Sequence, residues 1–223
     1  MLGGACIIAL CGVADAQTAA PDLVSSSISA GAASISDIDA ATLRTALSAA
    51  KRGDVSGARA AMASLSDPIA RKIALWALVD SNAEALGFYD LDSARRELAG
   101  WPRGARRDAA TERALATSGL DPARIVAWFG GAQPATAEGV MTLASSLQAI
   151  GRQQEATDLI RRTFRDKVFE ADVQRAMIAR FGAMLTPDDY VRRADILLYG
   201  QQGPAARDIV AMLSETQQAA ART

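Results

Sequence analysis

Three times this chain sets an Asp or Thr directly before a proline: Asp67-Pro68, Asp121-Pro122 and Thr186-Pro187. Each pair marks a helix start. The first residue can accept an N–H from the opening turn, and proline, with no N–H to lose, suits the first helical position. Gly203-Pro204 opens the last helix. Between these starts, apolar residues recur at helical spacing and predict further helices over 38–51, 54–65, 91–99, 104–117, 136–150, 153–165 and 171–181. Ser36 or Asp37 can cap the first, and Gly53 suits the left-handed position that closes it. No stretch alternates apolar and polar residues long enough to be a strand. Half of the residues are apolar but only 5% are aromatic, which disfavours an all-β fold. Helices of about 10 to 15 residues with short loops are the geometry of antiparallel helical hairpins. The expected fold is all-α, an irregular α-solenoid of such hairpins.

One hairpin has a more specific pattern. Leu143, Ala144, Leu147, Gly151, Glu155, Ala156 and Ile160 match tetratricopeptide spacing, in which small residues let two helices approach closely. Ala46, Ala49, Gly53, Ala58 and Met62 repeat the offsets. The copies do not follow the roughly 34-residue period of a regular array, so the solenoid is tetratricopeptide-like only in part. Each hairpin buries one face, and the stack must hold through neighbour contacts.

The N-terminus carries a different signal. An apolar run from Ala5 to Val13 precedes Ala14-Asp15-Ala16, the small-x-small triplet of a secretory signal cleaved before Gln17. No Lys or Arg precedes the run, which leaves an upstream start open. Bulky Leu10 argues against lipid attachment at Cys11. Residues 17–37 are rich in Ser and Ala and read as a flexible linker. Residues 38–223 form the expected superhelical domain, truncated at its C-terminus. Loss of the signal removes both Cys and one acid of 25, leaving 24 basic against 24 acidic residues. The expected location is the periplasm. No internal segment approaches the roughly 20 apolar residues of a membrane span.

Candidate chemistry narrows quickly. The chain has no His, which removes Ser-His and Cys-His nucleophile pairs and His-ligated metals. No glycine-rich phosphate or dinucleotide loop occurs. Asp188-Asp189 is the most suggestive acidic pair, but adjacent helix residues diverge, and a first-turn acidic pair reads as a solvated cap. Asp90 and Asp92 lack the Gly and the distant Glu of a calcium loop. No catalytic residue, cofactor or metal is expected. Two Arg-rich stretches remain, one from Arg95 to Arg113 and one containing Arg161, Arg162, Arg165 and Lys167. Their plain reading is a charged helix face with intrahelical pairs. Their functional reading is contact with a glycan or polyanion through Arg103, Arg106 and Arg107, with Trp101 in the loop Gly100-Trp101-Pro102 as a stacking platform. Balanced charge and export argue against nucleic acid. The remaining aromatics, including Trp76, Trp128 and Phe129, sit at core spacing.

The ordered combination DPARIVAWFGG (121–131), GRQQEATDLIR (151–161), RFGAMLTPDD (180–189) and RADILLYG (193–200), with DPIARKIALWALVD (67–80) upstream, resembles the superhelical region of soluble lytic murein transglycosylases, the alphaproteobacterial type above all. In that family a lysozyme-like domain follows the superhelix. It cleaves the bond between N-acetylmuramic acid and N-acetylglucosamine without water, leaving a 1,6-anhydromuramyl end. The catalytic Glu lies in a Glu-Ser pair followed by a Gly-Leu-Met-Gln-type segment, and neither occurs here. The resemblance therefore implies a periplasmic scaffold whose partners are peptidoglycan glycan strands and a catalytic domain outside these residues. The alternative is a free-standing tetratricopeptide-like module that binds a protein partner.

Overall fold

The computed structural model describes residues 35–200 and 203–220. The expected signal segment and all of the linker before residue 35 lie outside the described residues. Twelve α-helices, two single turns of 3-10 helix and no strand make up the described residues. The first three, α1 (Asp37–Lys51), α2 (Val55–Ala63) and α3 (Pro68–Asn82), pack on one another. After them come α4 (Phe88–Glu97), α5 (Gly104–Leu115), α6 (Pro122–Phe129), α7 (Ala137–Ala149) and α8 (Gln153–Asp166). The chain continues through α9 (Ala171–Phe181), α10 (Pro187–Tyr199), α11 (Gly203–Val210) and α12 (Glu215–Ala220). Contacts run between neighbours in sequence and between helices one removed, such as α8 with α10 and α9 with α11. That pattern is expected of a stack held by nearest neighbours.

The proline starts form as their chemistry requires. Asp67 accepts the Ala70 N–H at 2.7 Å, and Asp121 accepts that of Arg124 at 2.9 Å. Two elements depart from expectation. Helix α4 begins at Phe88, three residues early, because Gly87 supplies an extended cap ahead of the first apolar residue. Helix α12 was not expected, although Ser214 and Gln217 carry the signal for it. The Ser214 N–H donates to Gln217 Oε1 at 3.2 Å, and the Gln217 N–H returns to Ser214 Oγ at 3.4 Å. This is a reciprocal capping box.

The two hairpins with matched offsets turn in the same way. Gly53 (φ +79°) and Gly151 (φ +82°) both adopt left-handed backbone. The Gly53 N–H donates to Ala50 O and that of Asp54 to Ala49 O. Likewise, Gly151 donates to Gln148 O and Arg152 to Leu147 O. Each glycine thus closes a Schellman motif, satisfying carbonyls that the ending helix leaves open. Ala58, on α2, and Ala156, on α8, are buried. A single methyl at these positions lets the paired helices close up.

Polar clasps tie α1 to the start of α3 and α5 to the start of α7. Asp39 on α1 accepts the N–H groups of Ser66 and Asp67 at 2.9 and 3.0 Å, just ahead of α3. Glu112 on α5 does the same for Ala135 and Thr136, at 2.9 and 2.8 Å, just ahead of α7. Both acids are buried. A buried carboxylate that accepts two backbone donors fixes the approach of the following helix.

Candidate functional site

The Arg95–Arg113 stretch does not form one charged face. Arg107 is turned inward and almost fully buried. Its guanidinium donates to the carbonyls of Leu98 (3.1 Å), Trp101 (3.0 Å) and Pro102 (2.6 Å), beyond the C-terminal end of α4, and lies 3.7 Å from Asp80. Carbonyls of the loop and the negative end of a helix favour a cation there. Arg107 therefore belongs to the core and does not serve as a contact residue on the surface. Trp101 is also drawn inward, packing against the cluster that contains Leu91, Leu98 and Ala110. Arg95 and Arg96 close on the buried carboxylate of Asp92.

What remains on α5 is a narrower basic edge. Arg103 holds left-handed backbone (φ +62°), lies 6.0 Å above the Trp76 ring and reaches Asp80 at 3.3 Å. Arg106 and Arg113, both exposed, form no ion pair among the described residues. They line a cleft of about 440 Å³ with Ala110, Asp80 and Glu84.

The second basic cluster sits beside a larger groove, of about 740 Å³, between α6, the loop that follows it, α7 and α8. Val126, Phe129, Leu143, Leu147 and Leu159 form its apolar lining, and Arg152, Arg161, Arg162 and Arg165 its basic edge. Two of these arginines are held from behind by Asp189. The first-turn pair splits: Asp188 is exposed as a cap residue should be, whereas Asp189 is fully buried. Asp189 completes a capping box with Thr186, whose N–H and hydroxyl donate to it at 2.7 and 2.8 Å. It also accepts Arg161 Nε at 2.9 Å and Arg165 Nε. Burial pushes its pKa up, but these four donors outweigh burial and hold the carboxyl below its ordinary 3.8.

Asp92 is a second case. Burial again opposes ionisation, and hydrogen bonds from Trp128 Nε1 (2.9 Å) and Arg95, with the charge of Arg96, bring the pKa below its ordinary value. Asp90 pairs with Arg59 at 2.7 Å. No cluster of His, Cys, Asp or Glu among the described residues could hold a metal ion, and no described helix is long and apolar enough to cross a membrane.

Arg193 is the feature that sequence reasoning missed altogether. Fully buried on α10, it donates Nε to Gln174 Oε1 at 2.8 Å and Nη1 to the carbonyls of Phe164 (3.3 Å) and Lys167, at the C-terminal end of α8. Its guanidinium stands 4.0 Å from the Phe169 ring centre. Burial lowers its pKa to about 10, so it stays cationic at neutral pH. A signal existed: Asp189, Arg193, Ala194 and Leu197 share the inward face of α10, so the position reads as core by spacing.

No family model, curated protein or solved structure matches this chain.

Proposed function

We propose that this chain is a binding scaffold: the superhelical part of an exported lytic transglycosylase, presenting peptidoglycan to a lysozyme-like domain that performs the cleavage. The sequence resemblance and the all-helical fold support this reading. One observation carries the scaffold assignment, which is the state of the acids. A glycan-cleaving general acid needs a pKa raised by its surroundings. The buried carboxylates Asp39, Asp92, Glu112 and Asp189 are each occupied by structural donors, and the buried Asp80 carboxylate is held between the cations of Arg103 and Arg107. Where their pKa values shift, they shift downward.

On this reading the chain's own contribution is binding. The α5 edge of Arg103, Arg106 and Arg113 would meet the carboxylates of murein stem peptides or attached anionic polymers. The matched hairpins at Gly53 and Gly151 favour, as a second reading, a free-standing tetratricopeptide-like interaction module. Incubating the purified chain with murein sacculi tests the scaffold assignment. No soluble anhydromuropeptides are expected. Their release by the isolated chain would overturn it.

A further inference from the structure

The groove over α7 and α8 combines features that the glycan reading does not use. Its volume, about 740 Å³, falls within the usual range of small-ligand clefts, roughly 300–1,000 Å³. The lining side chains carry four arginines against two carboxylates, Glu155 and Asp158. Asp189, behind the wall, and Asp188, 3.5 Å from Arg165, offset that excess in the sum. The arrangement of donors is more telling than the sum of charges. Arg161 and Arg165 both spend Nε on Asp189, and among the described residues neither Nη1 carries a hydrogen bond. Arg162 uses only Nε, on the Asp158 carbonyl at 3.3 Å, and forms no ion pair among the described residues. A buried carboxylate therefore pins two guanidinium groups at the edge of an apolar groove while Nη1 of each stays open. Such groups lose little freedom when an anion arrives.

From this geometry we infer that the groove is a docking site for an acidic peptide segment of a partner protein, one with an apolar side chain beside a carboxylate. The apolar side chain would lie against Phe129, Leu143 and Leu159, and the carboxylate would meet Arg161, Arg162 and Arg165. Charge complementarity selects the carboxylate. The remaining polar groups select a peptide over a fatty acid. Gln133 and Asp158 line the same groove and offer acceptors to backbone N–H groups that an alkyl chain lacks, whereas both Glu155 oxygens are taken by Arg152. The inference does not depend on glycan binding, because the groove shares no lining residue with the α5 cleft.

Fluorescence anisotropy with a short labelled peptide of alternating leucine and aspartate tests it. This peptide should bind at low salt. The same peptide with asparagine for aspartate should bind at least about tenfold more weakly, the loss expected for a missing charged contact. Arg162→Glu should weaken the acidic peptide by a similar factor without lowering the melting temperature, since Arg162 holds no buried partner. Arg106→Glu, outside the groove, should leave peptide binding unchanged. The inference is overturned if the two peptides bind alike, if neither binds, if Arg162→Glu has no effect, or if dodecanoate binds while the acidic peptide does not.

Discussion

Arg193 donates Nε to Gln174 Oε1 at 2.8 Å, and Gln174 passes its own Nε2 to the Ala205 carbonyl at 3.0 Å. Through this pair, α10 is tied to α9, to the end of α8 and to α11. Among the described residues Arg193 has no carboxylate partner. The carbonyls and the faces of Phe169 and Phe164 stabilise its charge instead. Arg193→Ala removes a cation, opens a cavity and leaves carbonyls without donors. The cavity and the lost charge-assisted hydrogen bonds together cost on the order of 3 to 5 kcal/mol. Urea unfolding should register a loss of that size, and a loss below about 1 kcal/mol would mean that Arg193 is not buried as described.

Asp189 predicts the acid limit of stability. Its folded-state pKa lies below the ordinary 3.8, so between the two values the unfolded chain binds more protons than the folded one. The stabilisation is therefore complete above about pH 4 and is lost as pH falls through the folded value. Asp92 acts in the same direction. Asp189→Asn should lower the melting temperature at pH 7 and flatten its decline between neutral and acid pH. Parallel wild-type and variant profiles would assign the acid sensitivity elsewhere.

Gly139, at the start of α7, reverses an ordinary rule. Alanine usually stabilises a helix by roughly 1 kcal/mol over glycine. Here an added Cβ would lie 2.5 Å from Glu112 Oε2 and 3.0 Å from Thr136 Oγ1. Glu112 cannot step aside without releasing the backbone of Ala135 and Thr136. Gly139→Ala should therefore destabilise by about 1.5 to 3 kcal/mol, the scale of lost charged hydrogen bonds. A higher melting temperature for this variant would contradict the clasp.

Ala156 tests the close approach of α7 and α8. Fully buried at the helix contact, it has no room for leucine, and overpacking of this kind costs on the order of 1 to 3 kcal/mol. Ala156→Leu should lower the melting temperature clearly more than Gln154→Leu, which alters an exposed position on the same helix. Equal effects would place Ala156 away from the contact.

Much of the architecture was legible because its signals are local. The proline starts, the closing glycines and the small-residue offsets of Ala58 and Ala156 each act over one or two helical turns. Helix α12 was legible too, in the spacing of Ser214 and Gln217, but it lacks the apolar periodicity that draws attention to a helix. The charged residues were harder to place. Arg106 and Arg107 are neighbours in an Arg-rich run, yet one is exposed and the other caps α4 from inside the core. Asp188 and Asp189 divide in the same way. Which member of such a pair turns inward depends on carbonyls and guanidinium groups supplied by another helix, and composition carries no trace of them. Helical spacing does, since Arg107 shares an inward face with Ala110 and Thr111.

The most direct test of the proposed scaffold is co-sedimentation of purified residues 17–223 with murein sacculi. The chain should pellet with the sacculi at low salt, and release no anhydromuropeptides. Binding should fall as salt rises, because exposed charges are screened beyond about 8 Å at physiological ionic strength. Arg106→Glu combined with Arg113→Glu should abolish most of it while leaving the helical circular dichroism spectrum intact. A chain that stays in the supernatant at low salt, or that pellets equally well with high salt and with both substitutions, would contradict the account.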